Sequence, residues 1–201
     1  MATRLRVLVA ALAATMLAVP AANAGLLDPI LQLALPTCGA TVHPFEQFGD
    51  SNAYYAIPNN GFESGATGWS LAGGAKVAYG NEPFYINGIG GHSLSLPAGA
   101  SATSPSFCIN LLDPVLRMVA RGSNGGKLNV QIVFHGLTGN LTGVLNYKTI
   151  GGTGSWQPTD PVSSQLALPL LTSSAQVRVT SSSGTWTIDD VFEDPSVFRV
   201  G

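Results

Sequence analysis

Three carboxylates in two short stretches are the residues of this 201-residue chain best placed to do chemistry. Glu63 lies in "NNGFESGATGW", Asn59 to Trp69, and Asp189 and Asp190 lie side by side in "WTIDDVFEDP". Phe62 and Trp69 read as core residues, which brings Glu63 close to the interior, where an uncompensated charge is costly. Ile188 and Val191 bracket the two aspartates in a strand-like run. Neighbouring strand residues point to opposite faces, so a regular strand turns only one of the pair inward. An inward aspartate near Glu63 repels it unless a cation lies between them. Ca²⁺ suits that arrangement because it accepts about six to eight oxygen ligands and mixes carboxylates with loop carbonyls. The Gly-rich "INGIGGHSLSL" could supply such carbonyls. The simpler alternative is that these acids accept hydrogen bonds from turn amides. The cation reading needs the strand that opens the domain to lie beside the strand that closes it.

Catalytic constellations are missing from the pattern. His43, His92 and His135 are scattered without metal-ligand spacing. There is no Gly-x-Ser-x-Gly elbow. Two adjacent aspartates that point apart do not suit joint work on a glycosidic bond. Asp113-Pro and Asp160-Pro read as turns. A non-enzyme is expected. Sugar binding would need aromatic faces for stacking and amides or charged groups for the hydroxyls. The candidates are Tyr79, Phe84, Tyr85, Tyr147 and Trp156, with Arg117, Asn129 and Gln131 on polar strand faces. Each could instead serve packing. Trp69 and Trp186 read as core, whereas Trp156, in "GTGSWQPTD", is the best candidate for an exposed ring. His135 and Tyr147 could share the outer face of neighbouring strands.

The elements that must position these residues are short. "KLNVQIVFHG" alternates Leu128, Val130, Ile132 and Phe134 with Asn129, Gln131, Val133 and His135. "VLRMVARG" sets Leu116, Met118 and Ala120 opposite Arg117 and Arg121. "WSLAGG", "AKVAYG", "SLSLPAG", "GVLNYKTIGG", "SQLALPLL", "AQVRVTS" and "GTWTIDDVFEDP" continue the series between Gly, Pro, Asn and Ser turns. Period-two alternation over many short segments predicts an all-β sandwich or jelly roll of two antiparallel sheets. No amphipathic helical spacing and no internal repeat interrupts it.

The N-terminus predicts export. Arg4 and Arg6 precede an apolar run, Val7 to Val19, and "AANA" ends at Ala24 as a cleavage site, so residues 1–24 read as a cleaved signal peptide and the mature protein as secreted. The run is too short to span a bilayer, which takes about 20 apolar residues. Residues 25–57 read as an extension packed on a domain at 58–201; its "GLLDPILQLALP" could form a helical turn or two. Cleavage leaves seven Lys plus Arg against eleven Asp plus Glu, with no basic cluster for nucleic acid. The two cysteines, Cys38 and Cys108, are expected to pair in an oxidising compartment.

"NNGFESGATGW" and "WTIDDVFEDP", with "GGHSLSL" between them, resemble the two ends and a middle loop of a carbohydrate-binding module. The type is the galactose-binding-domain-like jelly roll attached to bacterial cellulases and xylanases, and small exported actinobacterial proteins carry it alone. The resemblance spans about Pro58 to Pro195. It implies two antiparallel sheets and a structural Ca²⁺ joining first strand to last, with Glu63 and Asp189 as ligands ahead of Asp190. The expectation is therefore an exported, monomeric, non-catalytic glycan-binding protein with a calcium site. The alternative is a structural or adhesive surface protein that binds another protein and no sugar.

Overall fold

The computed structural model describes residues 38–109, 115–163 and 172–194. The expected signal peptide, the apolar "GLLDPILQLALP" and the "SQLALPLL" strand lie outside them. Within them run β1 (Tyr55–Ala56), β2 (Ser70–Ala72), β3 (Lys76–Tyr79), β4 (His92–Leu96), β5 (Ser101–Thr103), β6 (Phe107–Cys108), β7 (Val115–Gly122), β8 (Lys127–Gly136), β9 (Leu141–Gly151), β10 (Gln157–Pro158), β11 (Val162–Ser163), β12 (Thr172–Ser183) and β13 (Trp186–Asp194). Every pairing among them is antiparallel.

These strands form the two sheets of a β-sandwich of jelly-roll type. One sheet has the order β10-β7-β13-β4-β3, with β1 added on β13 and β11 on β7. The other runs β2-β5-β12-β8-β9, with β6 added on β12. The alternation in β8 does what its sequence predicts. Leu128, Val130, Ile132 and Phe134 meet Leu94, Leu96, Met118, Val177, Val179 and Ile188 in the core between the sheets. Trp69 and Trp186 are buried there as expected, each donating its indole N–H to a backbone carbonyl, of Asn59 at 3.1 Å and of Ser183 at 3.3 Å. Gly122 is required beneath Trp186, because a Cβ on it would sit 2.6 Å from the indole ring.

A second, smaller core was not visible in the pattern. Phe45, Tyr54, Val119 and Phe192 form a buried cluster, with Phe48, Phe84, Ile86 and Trp156 packed around it. Phe45 stacks edge-on against Tyr54 and Phe192, with ring centroids 5.1 and 5.7 Å apart. The segment 42–57 thus lies on the outer side of the seven-stranded sheet, which it also joins through β1. Cys38 and Cys108 form the expected disulfide, with their Cα atoms 5.4 Å apart, tying the start of this segment to β6.

At the end of β13, Glu193 and Asp194 are buried, and Glu193 Oε1 has no hydrogen-bond partner among the described residues. Glu193 adjoins a cavity of about 180 Å³ whose walls include Cys38, Ile57, Phe107 and Cys108. Burial, then the charge of Asp194, pushes the Glu193 pKa up to about 8. A raised folded-state pKa contributes stability that is complete below the unfolded value and lost as pH rises through the folded one. Glu193→Gln removes that loss. The variant should match the parent in acid and exceed it near pH 8 to 9 by on the order of a few kcal/mol, read from urea melts at each pH.

Candidate functional site

The carboxylates do converge, but around Asp190 and Glu82 and not between Glu63 and Asp189. β13 pairs regularly with β7 up to Asp189↔Val119, then breaks register before Phe192↔Arg117. Asp190 sits in that bulge with φ +50. A bulge inserts an extra residue and re-aims side chains, so both aspartates reach the same place. A Cβ on Gly61 would lie 3.0 Å from Asp190 Oδ1 and 3.7 Å from Asp189 Oδ1. The expectation that only one could turn inward fails because the strand is not regular there.

Two loops complete the cluster. Asn59–Glu63 is held to the bulge by Val191 N–H donating to the Asn60 carbonyl at 3.3 Å, beside Ile57 N–H to the Val191 carbonyl at 3.3 Å. The loop 80–88 delivers Glu82, which is fully buried. Its carboxylate accepts N–H bonds from Phe84 and from Ile86, the latter at 2.8 Å, while its own N–H donates to Asp189 Oδ2 at 3.2 Å. Asn87 bonds both Asp190 and Asn60 Oδ1, the latter at 3.1 Å. Asn59, Phe62, Tyr85 and Asp190 are the non-glycine residues with positive φ among the described residues, and all four belong to these three segments. Backbone strain of this kind persists only where surroundings over-determine it, and it gathers at ligand sites.

The electrostatics are unfavourable as they stand. Burial, then the Asp190 charge, raises the Asp189 pKa to about 8. Burial, then the Glu82 charge and the hydrogen bond to it, raises the Asp190 pKa to about 7, with Glu63 adding to the repulsion. None of Glu82, Asp189 and Asp190 makes an ion pair among the described residues. No set of three or more His, Cys, Asp or Glu among those residues forms a ready-made metal centre. The cluster's polar groups are carboxylates with the Asn87 and Asn60 side-chain amides beside them, and carboxylate and amide oxygens are hard donors of the kind Ca²⁺ takes.

Glu63 lies differently from expectation. Its side chain is 47% exposed and accepts bonds from Gly91 N–H at 2.8 Å, His92 N–H at 3.0 Å and His92 Nδ1 at 3.1 Å. Burial pushes its pKa up, but the bonds from His92 and Gly91 together pull it below the usual carboxylate range. The Gly-rich loop therefore offers amides to a carboxylate at this point, where carbonyls for a cation were expected. Glu82, in "GNEPFYING", was missed. Its one sequence signal is an acid in a turn-rich loop beside aromatic residues.

The candidate sugar-binding residues scatter. Tyr79 is 91% and Tyr85 55% exposed, both beside the loops of the carboxylate cluster, with Tyr79 edge-on to His92. Phe84 and Trp156 are half-buried in the second core, and Trp156 lies under Arg121 at 5.2 Å. Arg117 is buried, not on an open polar face. It pairs with Asp50, donates Nε–H to the Thr159 carbonyl at 2.9 Å and stacks 4.5 Å above Phe45. The reason is that segment 42–57 covers this face.

Segment 42–57 covers the seven-stranded sheet around Arg117, Val119 and Phe192, leaving Lys76 and Arg121 exposed beyond it, whereas no described segment lies over the outer face of the six-stranded sheet. Register places Ser70, Thr103, Arg178, Gln131 and Asn146 in one row straight across β2, β5, β12, β8 and β9. A parallel row holds Ala72, Ser101, Thr180, Asn129 and Thr149, with Thr149 donating to Asn129 Oδ1 at 2.9 Å. His135 Nε2 lies 2.8 Å from Gln176 Oε1 on the same face. Tyr147 falls at the β9 register shift beside Gln131, so its backbone is near this row.

A β-sandwich with a segment packed over part of one sheet, an open face on the other and a loop-borne carboxylate cluster is the class the geometry defines. Neither a family model nor a curated protein sequence matches the chain. Among solved structures it is similar to the enzymatically active domain of tailspike protein 4 from bacteriophage CBA120, at 16% identity and a TM-score of 0.50 over 72% of this chain and 21% of that one. It is also similar to a CBM22 xylan-binding domain from Paenibacillus barcinonensis, at 17% identity and a TM-score of 0.47 over 67% of this chain and 90% of that one. A family 11 carbohydrate-binding module from Clostridium thermocellum matches at 13% identity and 0.45, over 72% and 97% of the two chains. The likeness is one of fold, and the chain spans about a fifth of the tailspike domain's length.

Proposed function

We propose that this chain is an exported, non-catalytic glycan-binding β-sandwich with a structural Ca²⁺ in the Glu82–Asp189–Asp190 cluster. The observation that carries the reading is the asymmetry of the two outer faces. One is covered over Arg117, Val119 and Phe192 by the chain's own segment 42–57. The other presents the hydroxyls of Ser70 and Thr103, the Arg178 guanidinium and the Gln131 amide in a row across four strands. Adjacent strands are about 4.8 Å apart, so the row gives a saccharide chain evenly spaced hydrogen-bonding partners. The Arg4/Arg6 and Val7–Val19 signature and the disulfide support export.

Ca²⁺ would hold the bulge of β13 to the loops 59–63 and 80–88 by neutralising acids that otherwise repel, so its role is to fix the fold. Affinity electrophoresis on xylan, mixed-linkage β-glucan and polygalacturonate should show retention of the folded protein by at least one of them. Gln131→Ala should weaken that retention about tenfold, the scale of one lost hydrogen bond to a ligand. Absence of retention on every matrix contradicts the reading. A second reading, docking of a partner protein, is favoured by the apolar side chains Leu137, Leu141 and Val144, which are 83, 61 and 45% exposed where β8 meets β9.

A further inference from the structure

We infer that the open face of the six-stranded sheet takes an acidic polysaccharide, with Arg178 anchoring its carboxylates; this rests on the glycan-binding reading above. The chain carries formal charge −2, yet the acids of its described strands all lie in one sheet. Strands β2, β5, β6, β8, β9 and β12 contain Lys127, Lys148 and Arg178 and no Asp or Glu. The acids that lie in the described strands, Asp189, Asp190, Glu193 and Asp194, are all on β13 of the other sheet. Lys148 stands opposite the core residue Val130 and pairs with Asp160 at 3.1 Å, so among the described residues Lys127 and Arg178 are the cations on the strands of the open face.

Arg178 stands at the middle of the transverse row, between Thr103 and Gln131. It is exposed, and its one contact is Nε–H to Thr103 Oγ1 at 3.3 Å, with no carboxylate partner among the described residues. That bond orients the guanidinium and leaves its terminal N–H groups for a ligand. A guanidinium fork fits a carboxylate in two parallel hydrogen bonds. Gln176 beside it is fixed, because its Nε2 donates to the Ser104 carbonyl at 2.8 Å while its Oε1 faces His135. A fixed cation among amides and hydroxyls, on strands whose described residues include no acid, selects for glycans that bring negative charge.

The test compares polygalacturonate with its fully methyl-esterified form and with xylan, using the folded chain and two single-charge variants. Arg178→Ala removes the anchor; Lys76→Ala removes the same charge from β3 on the other sheet. Both sites are exposed, and unchanged melting temperatures establish folding. The parent should be retained by polygalacturonate, less so by the ester, with retention weakening as NaCl rises. Arg178→Ala should lose about tenfold or more in affinity, the scale of a charge-assisted bond, while Lys76→Ala stays at the parent level. Equal retention on ester and acid, or an unaffected Arg178→Ala, overturns the inference. Retention by xylan alone overturns it and leaves glycan binding standing, whereas no retention anywhere overturns both.

Discussion

Arg117→Ala should unfold the chain at markedly lower temperature than any substitution on the open face. Its guanidinium is buried against Asp50, and Asp50 also accepts from Tyr54 Oη at 2.6 Å and from Asn52 N–H at 3.1 Å. These contacts sit on the hydrophobic cluster of Phe45, Tyr54, Val119 and Phe192 that covers the seven-stranded sheet. Removing one partner strands the other charge in a low-dielectric site, which costs about 3–5 kcal/mol. For a chain of this size that is a fall in Tm on the order of 10 °C. The double variant Arg117→Met, Asp50→Asn should recover much of the loss, because a neutral pair carries no stranded charge. A single variant that melts within about 2 °C of the parent, less than 1 kcal/mol is worth in Tm, would show that segment 42–57 is held by something else.

The second large effect is expected on metal removal. Asp189 and Asp190 have pKa values raised to about 8 and about 7, so without a cation the folded state resists ionising them. The sign follows from linkage: raised folded-state values mean that stability is complete in acid and lost as pH climbs through those values. Chelator-treated protein should therefore melt at progressively lower temperature from about pH 5 to about pH 9, with a total cost on the order of several kcal/mol. Ca²⁺ stabilises only the folded state by mass action and prefers the ionised cluster, so its stabilisation should grow over the same range. Asp190→Asn should flatten both curves. Metal-free protein whose Tm is insensitive to added Ca²⁺ at every pH would remove the cation from the site.

Much of the sandwich was legible because inside and outside alternate along a strand. In β8, Leu128 to Phe134 repeat with period two, and the same rule set Trp69 and Trp186 in the core. What alternation cannot report is what covers an outward face. In β7, Arg117 follows the rule and points away from the inter-sheet core, yet the chain's own N-terminal segment lies over it and buries it. Trp156 was expected exposed for the same reason and is packed under Arg121. The carboxylate cluster was half legible. The aspartates were found, but a regular strand would separate them, and only the bulge at Asp190 lets both converge. Glu82 reaches them by tertiary folding of a loop with no periodicity, 107 positions away from Asp189.

The most direct test of glycan binding on the open sheet is a backbone amide NMR titration with xylo-oligosaccharides and, separately, oligogalacturonides. Saturable shifts centred on Thr103, Gln131, Gln176 and Arg178 in at least one series are predicted, with Arg117 and Val119 unmoved beneath their cover. Shifts confined to Tyr79, Tyr85 and Ile89, or none in either series, would contradict the account.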